Sequence, residues 1–399
     1  MAVVLDLAFH HNIVVVAVSM FVNKLQFSGC SYTLFLCIPF SFMKLFLFII
    51  LFLGLSSCLK ENEAIAVINI TESTDSECKL SLFADSILYY PLFDSQPRYS
   101  NIQLTDKYIL AVYSSVGKLY DRKTGTILKE FDLGSPLNQP SYWWGNFVSQ
   151  NYITPNGNEV YIRKRLEKRG KVYCELLKKN LDDGSLIDSI SLPYFYSFPL
   201  TSTMFWGYKQ NIKNEKTSVT LEWYNSQHQL VNSFVQPDSF PASQQNKLLH
   251  FLNDEIYYHA NGSSIIYKLD NEGSITPFAK FTDSYIKELY ISSPILWGTC
   301  EFQEDSYRIV TDMNNVWKIP IKDSKNKIYE GLINDIDGGV DFWPQNISNT
   351  GEIYTWYQVD EMKRKIQQKN ATNQKIMEML DRLPQNVKTI VVVLKKYNK

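Results

Sequence analysis

Three aspartates near the end of the chain could supply oxygen ligands for a cation. Asp335, Asp337 and Asp341 alternate with glycines in the segment Asn334–Asp341. Calcium is held by carboxylate and carbonyl oxygens, so one interpretation of this spacing is a calcium site. The segment lacks the complete pattern of a calcium-binding loop, and a turn that enters the last repeat of the fold would use the same residues. No other metal and no organic cofactor is predicted.

Histidine, the usual general acid or base, is scarce in the second half of the chain. His228, His250 and His259 are the only histidines after Cys58, and their positions fit turns and strand edges. The sequence has no Gly-x-Ser-x-Gly elbow, no phosphate-binding loop and no His-Glu-x-x-His motif. We therefore predict no catalytic residue, although two carboxylates from distant segments could still form a glycosidase site.

Aromatic residues give a second chemical signal, because aromatic faces bind sugars and apolar groups. They recur at about the spacing of the repeat described below. We predict that they bind a ligand at the mouth of the central channel that such a repeat would enclose: Trp143, Trp144, Trp206, Phe251, Trp297 and Trp343. The alternative is that they pack between neighbouring repeats, since tryptophan is usually largely buried.

Cys58 carries the clearest chemistry. The apolar run Leu45–Leu55 ends in Leu55-Ser56-Ser57-Cys58, which has the form of a lipobox, where the cysteine accepts lipid. Each buried methylene of an acyl chain contributes about 0.8 kcal/mol to membrane binding, so several chains anchor a protein stably. The predicted partner is therefore a membrane, to which lipid on Cys58 attaches the chain.

This signal divides the N-terminal region. Residues 43–57 have the charge and apolar core of a signal peptide that begins at Met43, so residues 1–42 are predicted to be a mis-annotated upstream extension. Residues 58–79 are predicted to be a tether. The alternative is a membrane segment: Ile13–Val22 is shorter than the roughly 20 residues needed to span, whereas Phe35–Leu55 is long enough.

The composition limits the partners. The formal net charge of the 399-residue chain is −1, so no overall field attracts nucleic acid, and no nucleic-acid partner is predicted. Cys78, Cys174 and Cys300 are too widely spaced for a metal motif or a disulfide framework. One disulfide is compatible with an oxidising compartment, and the sequence does not select the pair.

A repeated unit organises the rest of the chain: two alternating strands joined by an Asp- or Asn-centred turn. Such turns connect antiparallel strands, and the copies lie roughly 45–60 residues apart, the size of a four-stranded propeller blade. The five copies are centred on the turns at Asp121–Gly125, Asp182–Gly184, Asn225–His228, Asp270–Gly273 and Lys322–Lys325.

Residues 80–399 are therefore predicted to be an all-β, six-bladed β-propeller. The strands Ser86–Leu92 and Thr389–Leu394 are expected to pair and close the ring, which hides two sheet edges. Val359–Leu383 interrupts the strand pattern with apolar residues at helical spacing. This segment is predicted to be an amphipathic helical insertion in the last blade, interrupted near Asn370.

Several segments, taken in order, resemble the six-bladed NHL-like β-propeller lipoproteins of the Bacteroidetes: Cys58, Cys78–Leu92, Tyr120–Gly125, Asn334–Pro344 and Val391–Tyr397. The resemblance implies the propeller fold and no particular activity. The chain departs from the family at Gly134–Pro140, which has a single glycine where many members have a glycine-rich stretch. Glu61 and Glu63 resemble the acidic signal for surface export, and a periplasm-facing outer-membrane lipoprotein is the alternative.

Two functions of different classes remain open from the sequence, and a membrane-bound stalk with no ligand is a third possibility. The favoured prediction is a noncatalytic binding or scaffolding propeller on the cell envelope, with a glycan, peptide or protein partner. The alternative is a propeller hydrolase or lyase that acts on an envelope or dietary polymer. The two differ in whether carboxylates, or a histidine and a carboxylate, converge at the channel mouth.

Overall fold

Alternating apolar residues and short polar turns fold the chain into six antiparallel sheets, the blades of a six-bladed β-propeller. In the computed structural model, the described residues are 65–396, except 73–77, 97, 114–115, 133–151, 154–157, 169–170, 193–196, 200–203, 214–215, 226, 228, 237–239, 242–248, 253–254, 261, 271–273, 283, 293, 303–304, 322–330, 349 and 370–373. They all belong to one compact unit, Ile65–Lys399. The predicted all-β class and six blades are confirmed.

Two strands precede the first complete blade: β1 (Ala66–Asn69) and β2 (Ser86–Leu92). The first blade then contains β3 (Asn101–Leu104), β4 (Tyr108–Tyr113), β5 (Val116–Asp121) and β6 (Ile127–Asp132). The second contains β7 (Tyr152–Ile153), β8 (Glu159–Lys168), β9 (Lys171–Asn180) and β10 (Leu186–Leu192). The third contains β11 (Ser197–Pro199), β12 (Met204–Lys213), β13 (Lys216–Asn225) and β14 (Leu230–Val235), with β15 (Phe240–Pro241) also paired to β13.

The remaining strands build the other three blades. The fourth blade contains β16 (Leu249–Leu252), β17 (Glu255–Tyr258), β18 (Ile265–Leu269) and β19 (Ile275–Thr282). The fifth contains β20 (Tyr285–Ser292), β21 (Ile295–Phe302), β22 (Asp305–Thr311) and β23 (Val316–Pro320). The sixth contains β24 (Asn346–Ile347), β25 (Ile353–Gln358) and β26 (Thr389–Lys395), and β2 is its fourth strand.

The first strand is the innermost in the four blades whose first strands contact one another. In the last three blades and the first, neighbouring first strands contact one another: β16 with β20, β20 with β24, and β24 with β3. The fourth strands consequently form the outer rim of the ring.

The predicted Asp- and Asn-centred turns join the third and fourth strands of five blades. In each, the side-chain oxygen of the residue at the end of the third strand accepts a backbone N–H from the turn, which stabilises the tight reversal. The residues are Asp121, Asn180, Asn225, Asp270 and Asp312, with N···O distances of 2.7, 2.8, 3.0, 2.7 and 2.7 Å. The fifth turn therefore lies at Asp312, ten residues before the predicted Lys322–Lys325. We call the end of each blade that carries this turn its turn end.

The sixth blade closes the ring as predicted. β2 pairs antiparallel with β26 in continuous register, from Ser86 opposite Lys395 to Leu92 opposite Thr389. This blade has no covalent turn between its third and fourth strands, because the two come from opposite ends of the chain. Hydrogen bonds between these strands thus replace the missing connection.

The predicted helical insertion consists of two helices, α1 (Val359–Gln368) and α2 (Gln374–Asp381). They connect β25 to β26, the second and third strands of the sixth blade, so they lie at the end opposite the turn end. Their apolar residues Met362, Ile366, Ile376 and Leu380 are buried in the core of this blade.

The described N-terminal residues 65–72 and 78–85 form an external strap, although the sequence predicts no strand within the 58–79 tether. β1 pairs in parallel with β19 on the outer edge of the fourth blade, and Ile68 and Ile70 are buried there. Further along, the Leu80 N–H donates to the Ile333 carbonyl (2.9 Å), so the same segment also reaches the loop before the sixth blade.

Among the described residues, no helix has the length and apolarity needed to cross a membrane. Cys78 and Cys300 are buried free thiols, and burial raises the pKa of each to about 12. These two cysteines therefore do not form the disulfide considered from the sequence. The side chain of Cys174 lies outside the described part of the structure.

Candidate functional site

The predicted aspartates lie in the loop Gly331–Gln345, which leads into the sixth blade. The base of the loop is closed by two backbone hydrogen bonds between Leu332 and Phe342, of 2.9 and 3.0 Å. A Cβ atom at Gly331 would collide with the Phe342 carbonyl group, so this close approach requires glycine. We call this loop together with α1 and α2 the sixth-blade cap.

Asp335 joins the cap to the N-terminal strap. Its carboxylate accepts hydrogen bonds from the backbone N–H of Ser81 (3.0 Å) and from the Ser81 hydroxyl (2.6 Å). Partial burial disfavours the charge of Asp335, but the hydrogen bonds from Ser81 outweigh it and hold the pKa below its ordinary value. The carboxylate is therefore ionised at neutral pH and fixes the strap.

Asp337 joins the cap to the closing strand β2. The Tyr89 hydroxyl donates to one carboxylate oxygen (2.7 Å), and the other accepts from the Asn334 amide (2.8 Å) and the Gly339 N–H (3.0 Å). Burial and the neighbouring Asp337 charge raise the pKa of the Tyr89 hydroxyl. Tyr89 thus remains a hydrogen-bond donor across the physiological pH range.

Asp341 joins the loop to the end of α1. Its carboxylate forms an ion pair with Lys369, which immediately follows the helix, and accepts the Asn334 N–H (3.3 Å). The Tyr357 hydroxyl donates to the Asp341 backbone carbonyl (2.9 Å). Loop, helix and β25 are consequently held by polar contacts around this one residue.

The three aspartates therefore join the loop to three different segments: the strap, β2 and the end of α1. Within the described part of the chain, no three His, Cys, Asp or Glu side chains are grouped so that they could hold a metal ion. In the described contacts these carboxylates act as internal ties of the cap.

The tryptophans predicted to line a channel mouth are in the core where they are described. Trp206, Trp297 and Trp343 have exposed fractions of 1%, 0% and 9%. This corrects the expectation of an exposed ring and matches the packing alternative. The physical reason is that Trp206 and Trp297, on the second strands of their blades, fill the space between adjacent blades, and Trp343 packs against Trp297 from the loop before the sixth blade.

These tryptophans also belong to two different clusters. Trp206 packs with Trp223 in the core of the third and fourth blades. Trp297 contacts Trp343, Phe342 and Phe83, with ring centroids 5.7, 6.3 and 5.5 Å apart. The Arg308 guanidinium lies 5.3 Å from the centre of the Trp343 ring, a cation–π contact between the fifth blade and the cap loop.

The two described histidines lie in the core of the protein. His250 and His259 are both buried. The Nε2 atom of His259 lies 3.1 Å from the Ser263 carbonyl oxygen, and complete burial lowers the pKa of His259 to about 4. His259 is therefore neutral at physiological pH and donates this hydrogen bond.

Cys58, Trp143, Trp144 and His228 lie outside the described residues, and so does the side chain of Phe251. Their predicted roles stay predictions.

One polar network was missed from the sequence. Asp94, between the sixth and first blades, accepts hydrogen bonds from Lys118 (2.6 Å), Tyr99 (2.7 Å) and Tyr120 (3.0 Å). Burial disfavours the Asp94 charge, but these donors outweigh it and lower its pKa. Tyr120 belongs to the first repeated turn segment, yet no local pattern indicates that its hydroxyl meets Asp94.

Comparisons with solved structures agree with the fold. A Bacteroides fragilis structure provisionally named an exported protein is 13% identical over 84% of this chain and 100% of its own, with a TM-score of 0.55. A DUF4221 family member from Bacteroides vulgatus is 10% identical over 81% of this chain and 100% of its own, with a TM-score of 0.36.

A virginiamycin B lyase from Staphylococcus aureus is 16% identical over 77% of this chain and 99% of its own, with a TM-score of 0.37. No protein-family model and no curated protein matches the sequence. At these identities the likeness extends to the fold alone, and the narrower NHL-like lipoprotein assignment stays a prediction from the sequence.

Proposed function

We propose that this chain is an outer-membrane lipoprotein of the NHL-like propeller type, anchored through Cys58. Its propeller binds a glycan, peptide or protein partner without catalysis. The exported protein of Bacteroides fragilis that shares the fold agrees with an envelope location.

The sixth-blade cap is the observation that carries the binding function. Its aspartates tie the loop to the strap, to β2 and to the end of α1. A surface that is ordered before binding loses less conformational entropy when a partner arrives. Because these carboxylates already hold parts of the cap together, they favour a function in binding over one in which carboxylates transfer protons.

The exposed side of the cap is suited to a polar partner. The exposed residues of the two helices carry both signs of charge and an amide: Asp360, Arg364, Gln367, Lys375, Glu378 and Asp381. The apolar residues of the same helices face the core, so hydrogen bonds and charge complementarity would determine which partner is recognised.

The anchor is tested by labelling cells of a Bacteroidetes host with radioactive palmitate. The full chain should take up label, and Cys58→Ala should abolish it. Label that persists in Cys58→Ala would show that the lipid is carried elsewhere or not by this motif.

Binding is tested by incubating the full chain with a panel of envelope and dietary polysaccharides and envelope peptides. We expect retention of one class without release of smaller products in mass spectrometry. Lys369→Met, which breaks the tie to Asp341, should weaken retention, whereas Lys287→Met removes an exposed ion pair with Glu301 in the fifth blade and should not. Release of cleaved products would replace this proposal with the hydrolase or lyase.

A further inference from the structure

The outer rim of the propeller carries apolar side chains at repeated positions. The first two residues of the outer strand are exposed and apolar in three consecutive blades: Ile127-Leu128, Leu186-Ile187 and Leu230-Val231. Each pair directly follows the turn between the third and fourth strands, so all three lie at the turn end. Their exposed fractions run from 39% to 58%.

The feature is confined to one side of the ring. The corresponding residues of the fourth blade are the half-buried Ile275 and the polar Thr276, and those of the fifth blade, Val316 and Trp317, are half-buried. Single exposed apolar residues are ordinary on protein surfaces, whereas a recurring set on one side indicates contact with something apolar.

The N-terminal strap adds exposed apolar residues beside the fourth blade, further along its outer strand. β1 buries Ile68 against the blade and turns Val67 outward with an exposed fraction of 61%, and Ile65 is 45% exposed. β1 is parallel to β19, which starts at the turn end. The chain therefore runs from the direction of the turn end, and β1 pairs with the later part of β19, from Ala279 to Thr282.

The length of the tether places the rim near the anchor. Six residues separate Cys58 from Ile65. A fully extended chain spans at most about 3.3–3.6 Å per residue, so the connection reaches about 25 Å at most. Lipid on Cys58 thus holds the edge of the fourth blade within that distance of the bilayer.

We propose that the apolar rim of blades one to three, at the turn end, rests on the surface of the bilayer that holds the Cys58 anchor. This docking rests on the proposed lipid anchor. Apolar side chains enter the boundary between headgroups and acyl chains and gain free energy in proportion to the buried area. The sixth-blade cap, at the opposite end of its blade, is then directed away from this surface and remains open to a partner.

The test uses the full chain in the membranes of a Bacteroidetes host, with the photoreactive residue p-benzoylphenylalanine at one rim position at a time. Leu128→p-benzoylphenylalanine and Leu186→p-benzoylphenylalanine should crosslink to radiolabelled phospholipid several-fold more than Ser191→p-benzoylphenylalanine. Ser191 is a matched control because it is exposed on the same strand as Leu186 but at its far end. Palmitate uptake is measured on the same cells.

The two readouts separate this inference from the anchor. Palmitate uptake with equal lipid crosslinking at Leu186 and Ser191 overturns the docked rim and leaves the anchor intact. Rim crosslinking without palmitate uptake supports the rim and overturns Cys58 as its anchor. Absence of both overturns both, and crosslinks from the rim to a second copy of the chain assign the surface to self-association instead.

Discussion

Arg122 and Glu352 form a two-pronged ion pair across the seam between the first and the last blade. The Nη1 atom of Arg122 lies 2.7 Å from Oε2 of Glu352, and Nη2 lies 2.8 Å from Oε1. Nη1 also donates to the Thr105 carbonyl (2.9 Å), and the guanidinium lies 4.9 Å from the centre of the Tyr90 ring. Arginine supplies this fork geometry and lysine does not.

The first prediction concerns this pair. Removal of one partner of a buried ion pair leaves the other uncompensated and typically costs 3–5 kcal/mol. Glu352 is partly exposed, so Arg122→Met and Glu352→Gln should each cost about 2–4 kcal/mol of unfolding free energy. The double variant should lose clearly less than the sum, as measured by denaturant unfolding. Strict additivity would show that the two residues do not stabilise the seam together.

The second prediction concerns two glycines in equivalent turns. Gly125 and Gly184 both have positive φ, 70° and 73°. A Cβ at Gly125 would collide with the backbone carbonyl of Pro91, whereas at Gly184 it would meet the flexible end of Lys129. Alanine in the left-handed region costs about 1–2 kcal/mol, so Gly184→Ala should lose about that much.

Gly125→Ala should lose distinctly more, because the Pro91 backbone belongs to the closing strand β2 and cannot move aside easily. Thermal unfolding of the two variants side by side provides the measurement. Equal losses would mean that the turn lies further from β2 than the structure places it.

The blades and turns could be predicted from the sequence because they depend on neighbouring residues. Alternation over a strand and an Asp or Asn at its end are local patterns, and Asp121 and Asp270 occupy the turns predicted for them. The two closing strands could be matched because each stands at an end of an otherwise regular repeat.

Contacts between distant residues could not be predicted in this way. Arg122 and Glu352 are 230 positions apart, and no periodicity connects them. β1 has four residues, too short for a pattern of its own. Spacing placed the tryptophans once per repeat but did not determine whether they face a channel or a neighbouring blade, because both arrangements have the same period.

The third prediction concerns acid stability. Burial lowers the pKa of His259 from 6.5 to about 4, so between these values the unfolded chain binds a proton that the folded chain does not. Folding stability therefore decreases as the pH falls from 6.5 to about 4, by about 3 kcal/mol at 1.36 kcal/mol per pKa unit.

His259→Phe should flatten this part of the pH profile, whatever its effect on absolute stability. The measurement is unfolding free energy at several pH values between 4.5 and 6.5, compared with the native chain. A profile of unchanged slope in His259→Phe would assign the acid sensitivity to other groups.

The last prediction decides between the two interpretations of the tryptophans. Trp297 is fully buried and contacts Phe83 of the strap, Phe342 of the cap and Trp343. Replacement of a buried aromatic by a small residue costs about 3–5 kcal/mol, since both the transfer energy and a cavity are involved. Trp297→Ala should therefore lower the melting temperature strongly, while the half-buried Trp356 on β25 should tolerate Trp356→Ala better. Because Trp297 lies beneath the cap, any loss of ligand in Trp297→Ala should accompany the loss of stability. A variant that keeps its melting temperature but no longer retains ligand would return Trp297 to the binding surface.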